Sequence, residues 1–229
     1  SEYQSIFKKK GVSVLIPPVN VINLCNDKLK ISQFVDSLGI RVPKIINIPS
    51  KKDLPLFSKM LSGSSSVGAV LIEDEFHLNH CMLSNDNRIY QEYINGIEYT
   101  VDTLCDKKSN VLIAAPRKRL STKSGQTVKG ITDNNAVIDG YVKRICKSVG
   151  LIGVCNIQFI EMGKEYYFIE INPRYAAGGL MLTTHSGVNL PLLALKIMQG
   201  ITIDQSELNH NRGLKMTRYW QEIIILEPS

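Results

Sequence analysis

Two short segments in the last third of the chain carry the residue types that metal and phosphate chemistry requires: Asn156-Ile-Gln158 and Glu170-Ile-Asn172-Pro-Arg174. In a strand, residues two apart share a face, so Glu170 projects with Asn172 and Asn156 with Gln158. A three-residue loop at Met162-Gly163-Lys164 sets Glu161 against Glu165 and Asn156 against Glu170, with Gln158 diagonal to Glu170. Cys155, Ile157, Phe159, Ile169 and Ile171 then form the opposite, apolar face. A row of amide and carboxylate oxygens on an apolar backing suits Mg²⁺, which takes one or two carboxylates and completes its shell with water and substrate phosphate. Arg174, just past the strand, can grip a phosphate or carboxylate through two parallel hydrogen bonds. The competing reading is the solvated side of an amphipathic hairpin, which would ordinarily carry Lys, Thr and Ser as well.

Other constellations are weaker alone. Lys59 precedes a loop of small residues, Ser62–Gly68, in which Ser64, Ser65 and Ser66 could let backbone N–H groups approach phosphate oxygens. The loop begins like a Walker A motif, but Ala69-Val70 stands where Lys-Ser/Thr is required, so that motif fails. A flexible surface hairpin accounts for it equally well. Gln91-Glu92-Tyr93-Ile94 with Glu98 reads as an edge strand and its turn. Arg117-Lys118-Arg119 could neutralise an anionic ligand or be a basic strand end. His77 and His80 lack a nearby third ligand and read as surface residues.

These residues need positioning elements. Residues 11–16 read as a short buried strand stopped by Pro17-Pro18. Asn26-Asp27 cap a helix with apolar Ile31, Phe34, Val35 and Leu38, ended by Gly39. An apolar strand covers Ala69–Ile72. Strands at 88–94 and 97–105 flank Asn95-Gly96, a hairpin signal. Another spans about 110–116, and the polar, glycine-containing stretch 119–133 reads as a long loop. A helix runs from about 135 to 149 before Gly150. Strands at 152–161 and 165–172 follow, then an irregular segment to 188. The last helix starts at Asn189 with Pro191 in its first turn and Gly200 after it. Residues 213–226 read as strand. Without regular alternation of strand and helix, the pattern favours α+β.

Composition sets outer bounds. The 229 residues suit one large or two small domains at about 150 residues each. Hydrophobic residues at 44% and charged residues at 21% exclude collagen-like, disordered and disulfide-scaffold classes. No apolar run approaches the roughly 18 residues of a membrane span. The charge of +6, from 27 basic and 21 acidic residues, sits in short clusters without the aromatic or zinc-finger patterns of nucleic-acid binders. Five cysteines with no C-x-x-C read as reduced thiols in a cytoplasmic protein.

Taken in order, the segments resemble the ATP-grasp superfamily, in the branch of the carbamoyl phosphate synthase large subunit and its small stand-alone relatives. The resemblance covers residues 21 to 200. It rests on Gly153-Val-Cys-Asn-Ile-Gln-Phe, Phe168-Ile-Glu-Ile-Asn-Pro-Arg174 and Gly187-Val-Asn-Leu-Pro191. Asn26-Asp27-Lys28, the segment from Gln91 to Glu98, and Pro116-Arg-Lys-Arg119 followed by Gly125 extend it. Lys59-Met60 stands where the family usually has Lys-Pro, and the glycine loop is serine-rich.

The resemblance implies an ATP-grasp fold, with two α+β lobes clasping ATP: a smaller lobe at about 21–92 and a larger one at about 93–229. Residues 1–20 would hold the last strand of a preceding Rossmann-like domain. Lys28, Lys59 and the loop serines would reach the phosphates. Glu92 with the backbone of Tyr93 and Ile94 would line the adenine, and Glu98 would bind the ribose. Gln158, Glu170 and Asn172 would hold Mg²⁺ or Mn²⁺. Arg174 would steady the transferred phosphoryl group, and Arg119 with Arg117 would face the phosphate or the acceptor. The implied activity is ADP-forming carboxylate–amine ligation through an acyl phosphate. The partners are small carboxylates and amines, with no nucleic acid and no membrane; a homodimer is compatible. Phosphorylation of bicarbonate or carbamate, and nucleotide binding without turnover, are the rival readings.

Overall fold

The computed structural model describes residues 3–61, 68–84, 86–219 and 221–225. The serine loop, with Ser64, Ser65 and Ser66, lies outside the described residues. The architecture is α+β, with two antiparallel sheets. The smaller is three-stranded, ordered β2-β1-β3: β1 Leu56–Met60, β2 Val70–Ile72 and β3 Arg88–Glu92. The larger is six-stranded, ordered β8-β7-β4-β5-β6-β9. Its strands are β4 Ile97–Cys105, β5 Val111–Lys123, β6 Gln126–Thr132, β7 Gly153–Met162, β8 Glu165–Asn172 and β9 Lys215–Thr217.

Each sheet is backed by helices. In the small unit α4 (Glu75–Leu83), capped by Asp74, sets Leu78 and Cys81 against Leu56 and Ile72. The main core lies on one face of the large sheet. There α5 (Ala136–Val149) buries Ile138, Val142, Ile145 and Val149 at helical spacing over Val101, Ile157, Phe159 and Phe168. Asn135 caps this helix, and Gly150 ends it in the left-handed conformation. Helices α2 (Val19–Asn26) and α3 (Lys28–Ser37) join that same core through Val21, Cys25, Ile31 and Val35. Asp27 ends α2 and caps α3, accepting from the Lys30 N–H. At the far end of the opposite face, α6 (Leu180–His185) leads into α7 (Leu190–Gln199), which packs over Leu104 and Val154. A short α1 (Gln4–Lys9) has no buried residue.

Several sequence expectations are corrected. Residues 11–16 form no strand; they run as irregular chain, with Leu15 laid over Gly153, where a Cβ would meet the Leu15 carbonyl at 2.8 Å. Among the described residues of 213–226, strand is confined to the three residues of β9, and Ile223, Ile224 and Ile225 are exposed. The expected loop at 119–133 is mostly a hairpin. β5 continues to Lys123 and returns as β6 through Ser124 and Gly125, both at positive φ. Its tip is polar because it projects past the core, with 120–126 exposed.

Asn95-Gly96 is not a hairpin turn either. β3 and β4 belong to different sheets, and residues 93–96 carry the chain between them. The glycine is required by close approach: a Cβ on Gly96 would lie 2.1 Å from the carbonyl oxygen of Glu161. Gly96→Ala should therefore lower stability by about 1–3 kcal/mol, the usual cost of forced overpacking. A shift of the denaturant midpoint to lower concentration checks this; an unchanged midpoint would show that the crossing tolerates a side chain.

Candidate active site

The face of the large sheet opposite α5 is polar along four strands. Across it, Thr100 pairs with Gln158 and Gln158 with Glu170; Asp102 pairs with Asn156 and Asn156 with Asn172. This register differs from the expected one. The turn is the two residues Gly163-Lys164, with Met162 opposite Glu165, and a β-bulge follows between Gln158 and Phe159. Gln158 therefore sits directly opposite Glu170, and Asn156 opposite Asn172. The bulge places Phe168 and Ile171 in the core, three residues apart. Ile169, expected in the apolar layer, lines the cleft instead.

The oxygens converge. Asn172 Nδ2 donates to Glu170 Oε1 at 2.8 Å and to Asn156 Oδ1 at 3.3 Å. Arg174 Nη2 donates to Asn172 Oδ1 at 3.4 Å, and Arg119 Nη1 to Gln158 Oε1 at 3.4 Å. Arg119 also pairs with Glu98 Oε2 at 2.8 Å and reaches the Gly125 carbonyl at 2.8 Å, while its Nε is buried with no partner among the described residues. Asn156 Nδ2 holds the Arg174 carbonyl at 3.0 Å, anchoring the segment after β8.

The small sheet supplies the roof. Lys59, on β1, spans to the Ile169 carbonyl at 3.3 Å, and Lys28, the first residue of α3, donates to the Met60 carbonyl at 2.9 Å. Between roof and floor lies a cleft with an apolar end, formed by Pro43, Phe57, Ile160 and Ile169 with Tyr93 and Ile94, and a charged end. Glu92 lines it too, though its Oε1 accepts the Lys44 backbone N–H at 2.8 Å. Around this cleft and the cavity that adjoins it, four cations, Lys28, Lys59, Arg119 and Arg174, stand against three carboxylates, Glu92, Glu98 and Glu170. Burial pushes the Lys59 ammonium down to about 8, and Glu170 opposes that shift. Burial also lowers Lys28 and Arg119, again opposed by carboxylates. A net positive charge in which three of the cations, Lys28, Lys59 and Arg119, are partly desolvated is an environment for polyphosphate.

Arg117 does not face the cleft as the resemblance implied. It is 2% exposed, with Nε 3.2 Å from Asp102 Oδ2 and Nη1 donating to Thr127 Oγ1 at 3.2 Å. Thr183 donates to the same Asp102 oxygen. Gly179 lies flat on the guanidinium, where a Cβ would come 1.8 Å from Cζ. Sequence reasoning missed this buried pair, because Asp102 and Arg117 are fifteen residues apart and come together only through the β4–β5 register. Period-two spacing from Thr100 and from Arg119 was the available signal. Ser64, Ser65 and Ser66 fall outside the described residues.

The cleft between the two antiparallel sheets, apolar at one end and charged at the other, is the site's defining geometry. The family described as ATP-grasp in the biosynthetic pathway with Ter operon matches residues 84–221, and the chain belongs to that ATP-grasp family. Its relatives include the carbamoyl phosphate synthase large chain of Clostridium beijerinckii, 26% identical over 225 residues, covering 88% of this chain and 21% of that protein. The chain thus spans about a fifth of the length of the curated relatives it matches. Among solved structures, it resembles the biotin carboxylase domain of Hydrogenobacter thermophilus 2-oxoglutarate carboxylase, a dimer in complex with MgADP, ADP and bicarbonate. The TM-score is 0.75 at 18% identity, over 92% of this chain and 53% of that one. It also resembles the L-amino acid ligase of Bacillus licheniformis, with TM-score 0.68 at 17% identity, over 90% and 56%. These likenesses show the ATP-grasp fold. No helix among the described residues is long and apolar enough to cross a membrane.

The buried Lys59 yields a pH prediction for the nucleotide-free protein. Its folded value, about 8, lies below its ordinary 10.5, so between those values the folded state holds fewer protons and stability rises with pH. Lys59→Met should stabilise the free protein at pH 7 by on the order of 3 kcal/mol, and the gain should shrink as pH climbs through that window. Chemical denaturation of both proteins at pH 7 and at higher pH measures this. A destabilised Met variant with no pH trend would show that the lysine is not desolvated.

Proposed function

We propose that this chain is the ATP-grasp portion of an ADP-forming ligase that activates a carboxylate as an acyl phosphate for attack by an amine. The observation that carries this reading is the convergence of Gln158, Glu170 and Asn172 beneath Lys28 and Lys59, with Arg119 and Arg174 alongside. A bare binding module has no need of that full set. On this reading residues 21–229 form the ATP-grasp unit.

The adenine occupies the apolar end, against Phe57, Ile160 and Ile169 and along the backbone of Tyr93 and Ile94, with Glu92 at its edge. The ribose lies near Glu98. Lys28 and Lys59 neutralise the phosphates from the roof, joined by the Ser64–Ser66 loop. The donor set on the floor, one carboxylate and two amide oxygens, fits Mg²⁺ or Mn²⁺ shared with substrate phosphates. Gln158 Oε1, Glu170 and Asn172 Oδ1 would hold the ion, which when bound supplies charge neutralisation across the phosphates. These three residues share with Arg119 and Arg174 the lining of a small polar cavity of about 70 Å³, to which Gly125 to Thr127 and Ala176 to Gly178 also contribute.

In that cavity the acceptor carboxylate lies against Arg119 and Arg174. Its oxygen attacks the γ-phosphorus, the bond to the ADP oxygen breaks, and ADP leaves. The amine then attacks the acyl carbon, phosphate departs, and the amine proton is released. The residues contribute position and preorganised charge. The smallness of the cavity favours one second reading, in which bicarbonate or carbamate is the phosphorylated acceptor. The carbamoyl phosphate synthase relatives and the bicarbonate in the carboxylase complex support that alternative.

A screen of small carboxylic acids and bicarbonate for ADP release, with hydroxylamine present to capture acyl phosphate as hydroxamate, tests the reaction. MgATP at 100 times its Kd should add ~2.7 kcal/mol of stability and a clear melting shift. Glu170→Gln keeps the shape but removes the charge, and should lower kcat on the order of 10²-fold or more, the effect of losing a ~2.7–4 kcal/mol charge-stabilising group. It should leave folding intact, because the residue faces the cleft. Release of AMP and pyrophosphate would mean adenylation, and a melting shift without any turnover would mean a binding module.

A further inference from the structure

Outside the cleft, on the opposite face of the large sheet, three thiols meet. Cys105 ends β4, Cys155 lies in β7 next to Asn156, and Cys146 comes from α5. Their relative exposures are 0%, 1% and 0%, and their Sγ atoms all lie within 4.8 Å of one another. Nothing in the proposed reaction uses them. Sulfurs bonded to one centre at about 2.3 Å, the usual metal–thiolate length, stand roughly 3.5–4 Å apart, so modest side-chain shifts would close this triangle on a single atom.

The surroundings decide which atom. Hard cations need oxygen ligands, and the cluster offers sulfur alone. A closed zinc site takes four ligands, and among the described residues the cluster has three; Cys25 acts on Cys146 but stands outside the group. Charge is the sharper discriminator. Three thiolates leave one net negative charge on a divalent ion and two on a monovalent one. The triad lies in the main apolar core, with Val142 and Val149 one turn from Cys146 on α5 and Ile157 two residues from Cys155 on β7, and the charged side chain that bears on Cys105 is an anion, Asp106. An uncompensated charge in such a core is costly. A trivalent centre gives a neutral product.

We propose that Cys105, Cys146 and Cys155 form a binding site for a trivalent thiophilic element presented as its neutral hydroxide, of the arsenous or antimonous acid kind. At each position one element–oxygen bond breaks, one element–sulfur bond forms, and the thiol proton leaves with the hydroxide as water. Three waters are released, the element stays trivalent, and no electrons are transferred. A neutral hydroxide enters the core without desolvating a charge, through local opening of α5 from the sheet. Occupancy ties α5 to β4 and β7, the strands that carry Thr100, Asn156 and Gln158.

The test uses the whole reduced chain incubated with arsenite until the α5 amides have exchanged with deuterated solvent in a parallel sample, which establishes access. Native mass measurement should show one increment of one arsenic less three hydrogens, and the melting temperature should rise. Alkylation after unfolding in the presence of arsenite should find three of the five cysteines protected. Cys146→Ala should abolish the three-hydrogen increment and the melting rise together. Should that variant fail to fold, the wild-type protection pattern still decides. An unmodified chain after α5 exchange, protection of Cys25 or Cys81 in place of the triad, or an unchanged increment in Cys146→Ala would each overturn the proposal.

Discussion

One extra residue in β8 sets the geometry of the cleft. β7 alternates regularly, sending Cys155, Ile157 and Phe159 into the core and Asn156 and Gln158 to the other face. Strict alternation in β8 would put Phe168 on the same side as Glu170 and Asn172. The bulge after Phe168 breaks that parity, so Phe168 and Ile171 stay in the core while Glu170 and Asn172 meet Gln158 and Asn156. The unpaired residue, Ile169, gains two tasks. Its side chain lines the apolar end of the cleft, and its carbonyl receives the Lys59 ammonium from the other sheet. A single irregularity thereby joins core, floor and roof.

The buried Arg117–Asp102 pair cross-links the far end of the polar floor. With Thr127 and Thr183 as further partners and Gly179 stacked on the guanidinium, the pair ties β4 and β5 to β6 and to the start of α6. Removing one member of such a pair typically costs about 3–5 kcal/mol, because its partner remains charged and buried. Around the cleft, Lys28, Lys59 and Arg119 are cations that burial disfavours, an effect Glu98 and Glu170 oppose without cancelling. The free protein is strained electrostatically where an anion would relieve it, a trade of stability for preorganised charge.

Much of this was legible in the sequence wherever a local signal determines the structure. Asp27 and Asn189 cap helices as their positions imply, and Gly150 and Gly200 end helices in the left-handed conformation. The segregation of polar and apolar faces in the 153–172 hairpin was readable because period two survives in β7. What escaped depended on distant partners. The register of Glu170 rests on a bulge that no residue type announces. Asn95-Gly96 has hairpin composition, yet its glycine answers to the Glu161 backbone sixty-five residues away. The long β5–β6 hairpin reads as loop because its tip is solvated on both faces. Arg117 reads as a ligand-facing cation until β5 is paired with β4, which buries it against Asp102.

The most direct measurement is a crystal structure with ADP and Mn²⁺, using the anomalous signal of the metal. The account predicts a manganese peak on the polar floor, with side-chain oxygens of Glu170 and Asn172 at roughly the 2.0–2.6 Å of hard-cation coordination and Lys59 turned onto the phosphates. A peak held by nucleotide oxygens alone, with the Glu170 carboxylate still engaged by Asn172 and out of coordination range, would contradict it.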